Sequence, residues 1–246
     1  MPPTLILIRH AEALHNVDKD YSIPDPVLSQ LGLQQCTELR NHLRQGKQRP
    51  QVSELAERAE LIVVSPMRRT LQTALLGLDW LVNEKGVPLR PDAGWQENSD
   101  KPCDTGSPVS VLEKEFPSVD FNGVDPTYPE KVEPVGTNPY AFSRRAVVAR
   151  GQSCLAWLYG RPEKVIIVVT HSGFLRCAIS QRRYANADYR VFDFEEGPGN
   201  GEYRLKEWES TESAGGGMGK SERGIAEIAE RDFPKAEGEA TVEVPT

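Results

Sequence analysis

The chain has 246 residues, 38% of them hydrophobic and 26% charged, with a formal net charge of −7. That acidic balance argues against broad nucleic-acid binding, which needs a basic face to displace counterions from phosphates. The apolar runs are strand-sized, far short of the roughly 20 residues of a membrane helix, and no cleavable apolar stretch precedes the first strand. The expectation is a cytoplasmic protein with neither nucleic-acid nor membrane partners.

In chain order, Leu5-Ile6-Leu7-Ile8 marks a buried strand over residues 4–9. Ser29 is a good N-cap for a helix carrying Leu31, Leu39 and Leu43 toward the core, followed by a polar loop over 45–51. A second strand over 60–65 leads into a helix that Ser65 can cap. In it Pro66 suits the first position, and Met67, Leu71, Leu75 and Leu78 recur at helical spacing. Residues 98–138 are rich in Pro, Gly, Ser and Asp around a short helix at 109–116. A connection of that length reads as a lid that shapes a pocket, or as an excursion packed on the sheet edge.

Helical spacing resumes over 143–159, a third buried strand spans 164–171, and 189–194 with 202–208 read as a hairpin around 197–201. From residue 210 onward there are 8 acids and 4 bases, with a glycine run and few aromatics. This composition predicts a flexible tail with one short helix near 225–233. Alternating strands and helices predict a three-layer α/β sandwich, with a mostly parallel central sheet flanked by helices. The catalytic domain then spans 1–209 and the tail 210–246. Cys36, Cys103, Cys154 and Cys177 lack the spacing of a zinc site or a disulfide scaffold.

Two histidines end apolar strand patterns, His10 in Arg9-His10-Ala11-Glu12 and His171 in His171-Ser172-Gly173. In open α/β sheets ligands sit beyond the carboxyl ends of strands, so both histidines can share one pocket. With Asn16, the run Ser65-Pro66-Met67-Arg68-Arg69-Thr70-Leu71-Gln72-Thr73-Ala74 and the acid of Trp95-Gln96-Glu97, they make a set spanning residues 4–208. This set resembles the histidine phosphatase superfamily, whose fold is phosphoglycerate mutase-like.

The resemblance implies a role for each residue. His10 matches the nucleophile that takes the phosphoryl group, Arg9 and Arg68 the arginines that grip it, and His171 the second histidine of the phosphate pocket. Glu97 matches the acid that protonates the leaving oxygen, with Asp100 and Asp104 close by as alternatives. Asn16 can donate to the phosphate or steady the loop after His10. Ser172 and Gly173 let the backbone approach and open a helix whose N–H groups favour an anion. No metal or cofactor is implied, since arginines and histidines supply the positive charge.

Taken singly, each residue has a plainer reading: a strand-end histidine held by hydrogen bonds, a surface salt bridge, a turn-forming asparagine. His15 reads as lining the entrance, His42 as solvated, and Arg144 and Arg145 as substrate contacts or a charged helix face. Ala11 stands where the superfamily commonly has glycine. The expected activity is hydrolysis of a small organic phosphate through a phosphohistidine, selected by an excursion with Trp95, Cys103, Phe116, Phe121 and Tyr128 in or near it. The alternatives are a mutase and a non-catalytic binding member; the Arg-His-Tyr-Gly signature of the glycolytic mutases is missing.

Overall fold

Thr4–Arg9 (β1), Leu61–Val64 (β2), Leu89–Pro91 (β3), Val165–Thr170 (β4), Tyr189–Phe194 (β5) and Leu205–Glu207 (β6) form one sheet, ordered β3-β2-β4-β1-β5-β6. The structure is a computed structural model describing residues 1–46, 50–132, 138–198 and 201–234. The four strands β3, β2, β4 and β1 run parallel, and β5 and β6 complete the sheet antiparallel. Among the described residues the α-helices are Leu14–Val17 (α1), Gln30–Gln45 (α2), Pro50–Glu57 (α3), Arg68–Gly77 (α4), Asp79–Asn83 (α5), Val109–Glu115 (α6), Arg144–Tyr159 (α7), Ser172–Phe174 (α8) and Glu209–Glu212 (α9).

Alternate residues of a strand face opposite sides of a sheet, and here both sides are apolar. Ile6, Ile8, Ile62, Val64, Ile167 and Val169 pack with Leu39 and Leu43 of α2, Leu55 of α3 and Leu71 of α4. Leu5, Leu7, Leu61, Val63, Ile166 and Val168 pack with Val147, Leu155 and Leu158 of α7. Double burial explains why these strands are unbroken apolar runs, and the result is a three-layer α/β sandwich.

Some local expectations change. Leu31 is exposed, because it falls off the face on which Leu39 and Leu43 are buried. The polar stretch expected to be a loop over 45–51 reaches helix at Pro50, where Val52, Leu55 and Ala56 turn inward; residues 47–49 lie outside the described residues. The side chain capping α4 is not Ser65 but Asp25, whose Oδ1 accepts the Arg68 N–H at 3.1 Å. Strand β3 was not anticipated, since Leu-Arg-Pro has almost no apolar pattern.

The largest change concerns residues 210–234, which pack on the body rather than forming a detached tail. Asp188 is fully buried, and its Oδ1 accepts the N–H of Tyr189 and of Met218, each at 2.8 Å. Its Oδ2 accepts the Lys220 N–H at 3.1 Å and the Ser221 hydroxyl at 2.6 Å. Gly216 has φ +87°, and a Cβ there would lie 2.3 Å from Asp188 Oδ2, so the loop needs glycine on both counts. Farther on, the Ala226 N–H donates to the Gln181 carbonyl at 2.8 Å, and Phe233 packs beside Phe142 with ring centroids 6.2 Å apart. Residues 235–246 of the expected tail lie outside the described residues.

Asp188→Ala leaves the buried Tyr189 N–H, the part-buried N–H groups of Met218 and Lys220 and the Ser221 hydroxyl without their acceptor, and the expected loss of stability is at least about 2 kcal/mol. Urea unfolding reads the loss, and limited proteolysis should show new cleavage between residues 210 and 234. An unchanged midpoint with no new cleavage would mean that other contacts hold the segment.

Candidate active site

Strands β2, β4 and β1 lie side by side and parallel, so their carboxyl ends emerge in a row. Ser65, His171 and His10 are the residues that follow them. All three are buried, and the His10 and His171 ring centroids are 5.2 Å apart. His10 Nδ1 lies 2.7 Å from the Ala11 carbonyl. A carbonyl only accepts, so Nδ1 carries the proton and Nε2 keeps its lone pair. Ala11 does not adopt a left-handed φ, and its methyl sits in the core beneath the sheet end. The departure from glycine is therefore accommodated without strain.

The arginine facing that lone pair is Arg69, not Arg68. Arg69 Nε donates to His10 Nε2 at 3.2 Å, Nη1 to the Cys103 carbonyl at 2.6 Å and Nη2 to Asp104 Oδ1 at 3.2 Å. Arg68 instead forks onto Glu115 of α6, Nε at 2.7 Å and Nη2 at 2.6 Å, on the outside of the molecule. The reason is helical phase. Arg69 is four residues before Thr73, whose hydroxyl accepts the Ala11 N–H at 3.0 Å, so that face of α4 looks at the end of β1. Arg68 lies about 100° away around the helix.

Arg9 closes the opposite side. Its Nη1 donates to the Tyr184 carbonyl at 2.8 Å, while its buried Nε has no partner among the described residues. His171 Nε2 meets Ser65 Oγ at 2.9 Å, and its buried Nδ1 is likewise unpartnered. His15, 5% exposed, accepts from the Asn16 side-chain amide at Nε2, 2.9 Å away, which leaves Nδ1 as another buried donor without a partner. Asn16 Oδ1 accepts the Ala13 N–H at 3.1 Å, so Asn16 steadies the loop after His10. Burial first, then the charges of Arg69 and Arg9, holds the His10 imidazole well below its ordinary pKa; burial followed by Arg69 does the same for His171. Burial also lowers His15 to about 4 and Arg9 to about 10.

Glu97 reaches the same cavity from the segment after β3. Its Oε2 accepts the Gly173 N–H at 3.0 Å, and Oε1 accepts the N–H of Phe174 at 2.8 Å and of Asn98 at 3.0 Å. The N–H groups after Ser172, expected to hold a bound anion, thus hold this carboxyl. A Cβ on Gly173 would lie 2.5 Å from Glu97 Oε1, so only glycine admits the contact. Burial, reinforced by the nearby Asp104 carboxylate, pushes the Glu97 pKa up against the pull of those N–H groups. Oε2 accepts a single N–H, which leaves it room to carry a proton.

Lys131 escaped the sequence reading. It is buried, and its Nζ donates to the carbonyls of Glu97, Ser99 and Asp104 at 2.6, 2.8 and 2.5 Å, tying residues 97–104 to residue 131. Trp95, Cys103, Phe121 and Tyr128 turn into the core, leaving Tyr21, Asn98, Ser99, Lys101, Asp104 and Phe142 to wall the cavity, which holds about 280 Å³. Arg144 and Arg145 are exposed, with Arg145 on a separate cavity of about 580 Å³ beside α7. His42, expected to be solvated, is half-buried, and its ring meets Tyr189 edge-on.

Comparison with known proteins shows the family. The sequence profile of the Histidine phosphatase superfamily (branch 1) matches residues 5–196. The chain belongs to the histidine phosphatase superfamily. A "Phosphoglycerate mutase-like protein" of Arabidopsis thaliana is 31% identical over 72% of this chain and 73% of its own. A Schizosaccharomyces pombe protein named "Probable phosphatase" is 31% identical over 70% of this chain and 76% of its own. The alpha-ribazole phosphatase of Shigella flexneri shares the fold at 18% identity and a TM-score of 0.50, over 83% of this chain and 95% of that one. Like the sequence-predicted residues, Arg69 falls inside the matched region. Among the described residues no helix is long and apolar enough to cross a membrane.

Arg69→Gln should weaken binding of inorganic phosphate or orthovanadate at least about tenfold, whereas Arg68→Gln should leave it within about twofold. Calorimetric titration of the two variants distinguishes the neighbours, and the reverse ranking would return Arg68 to the site.

Proposed function

We propose that this protein is a metal-independent phosphatase that hydrolyses a small organic phosphate ester through a phosphohistidine. One observation carries the reading: His10 presents its unprotonated Nε2 to the Arg69 guanidinium, within reach of the charge of Arg9 and with the His171 ring 5.2 Å away, while Arg9 Nε and His171 Nδ1 are buried donors without partners among the described residues. Buried polar groups without partners are costly, and a phosphate placed there satisfies them at once. The volume of the cavity suits a small ester. The superfamily and the phosphatase name of the yeast relative point the same way.

In this mechanism His10 Nε2 attacks phosphorus in line while the ester oxygen departs and takes the proton of Glu97. The entering phosphoryl group takes over the Arg69 N–H from the imidazole. Arg9, Arg69 and His171 hold charge on its oxygens throughout, as phosphoryl transfer demands. Water, deprotonated by the Glu97 carboxylate, then cleaves the N–P bond and restores both groups. Residues 98–104, tied down by Lys131, serve as the wall that receives the rest of the substrate.

The decisive experiment is acid-sensitive, base-stable labelling from a ³²P-ester, with phosphate release followed in parallel. Wild type should give a phosphohistidine that His10→Ala lacks, and undiminished turnover in that variant would rule the mechanism out. Isomerised product in place of free phosphate would identify a mutase.

The pH dependence follows from the shifts at His10 and Glu97. A lowered His10 pKa keeps the nucleophile neutral well below pH 6.5, which sets the acid limb. A raised Glu97 pKa keeps the acid protonated above pH 4.5, and turnover falls as pH rises through it. Glu97→Gln should abolish that alkaline limb, slowing alkyl phosphates about a hundredfold or more and activated aryl phosphates far less. Equal losses on both classes would move the acid to Asp104.

A further inference from the structure

The outer half of the catalytic cavity contains an ion pair that the chemistry does not use. Arg176 lies one turn beyond Gly173, and its side chain lines the same cavity as His10 and Glu97. Its Nη1 donates to Asp232 Oδ2 at 2.8 Å and its Nη2 to Asp232 Oδ1 at 2.9 Å. Each partner's side chain is 18% exposed, so the pair is shielded but bounds the space a substrate would enter. Asp232 is held from behind as well, because Oδ2 also accepts the Ala229 N–H at 2.9 Å. On either side, Ile228 packs into the lower core and Phe233 lies against Phe142, which is itself a wall of the cavity. Asp232 thus belongs to a strap over residues 226–234, beyond the end of the superfamily match at residue 196.

A guanidinium fork is suited to gripping a planar carboxylate, and here the grip is already taken from within the chain. A substrate with one phosphate and an uncharged remainder leaves the pair intact. A second anionic group at that depth must displace Asp232 from the fork or lie beside its carboxylate, with Asp104 adding negative charge to the same cavity. Either course is unfavourable. Lys101, another cation of the rim, is exposed and stacked over the Tyr21 ring at 4.5 Å, where solvent screens it.

We propose that Asp232 is a specificity-determining residue: by occupying Arg176 it turns the pocket against phosphate esters that carry a second anionic group. The proposal rests on the phosphatase reading of the site and concerns its choice of substrate.

Phospholactate and phospholactamide test it, since they share one skeleton and differ by a single charge. In Asp232→Asn the ratio of kcat/KM for the acid over the amide should rise about tenfold, and in Asp232→Asn/Arg176→Gln it should fall back to the wild-type value. An unchanged or lowered ratio in the single variant overturns the proposal, as does a rise that survives loss of Arg176. Thermal unfolding checks that the variants fold. If Asp232→Asn does not, Arg176→Lys loosens the fork while keeping the charge and should raise the ratio in the same direction. Failure of the phosphatase reading looks different, with no phosphate released from either ester or from p-nitrophenyl phosphate by wild type. The acid-to-amide ratio of Kd values by calorimetry then decides the role of Asp232 by the same criteria.

Discussion

Parallel pairing of β2, β4 and β1 is the constraint on which the site depends. Neighbouring strands are spaced by their hydrogen bonds at about 4.8 Å, and parallel strands end on the same side. The residue that follows each strand is therefore delivered to one line without any dedicated scaffold, and two of those residues are His171 and His10. Burial of both sheet faces keeps that line rigid. It also removes water from around the imidazoles, so Arg9 and Arg69 act on them at short range and keep them neutral. The unprotonated state of the His10 imidazole is thus a by-product of packing.

The acid on the far side of the cavity is governed by a balance rather than by a single neighbour. Three N–H groups favour the ionised form of Glu97, while burial and Asp104 favour the neutral form, and the latter prevail. Two positions make the balance possible. Gly173 permits the carboxyl to touch the start of α8, and Lys131 fixes the backbone from which Glu97 and Asp104 both project. Lysine suits that task because three carbonyls need three donors and no competing acceptor.

What the sequence made legible follows from the range of the interactions involved. Long apolar runs announced the buried strands, and the residues ending them announced the histidines, because both are local signals. Choosing between Arg68 and Arg69 needed the phase of α4 relative to β1, which is visible only through Thr73, a polar residue one turn along the same face. The cap of α4 comes from Asp25, far away in the chain, so proximity wrongly favoured Ser65. Residues 210–234 look like a solvated tail by composition, yet they are held by a few well-placed polar groups, above all Asp188, which no window of neighbouring residues reveals.

The clasp at Asp188 also separates two kinds of change that a sequence can undergo. It holds residues 216–221 by the N–H groups of Met218 and Lys220, the Ser221 hydroxyl and the glycine at 216, so the strap over 226–234 starts from a constant position. The residues proposed to surround a phosphate all lie between Arg9 and His171. Substitutions in the strap can therefore redraw the rim of the cavity while the reacting groups keep their places. A lineage carrying this arrangement can diversify what it accepts by altering a handful of residues near its end, with no repair needed at the sheet.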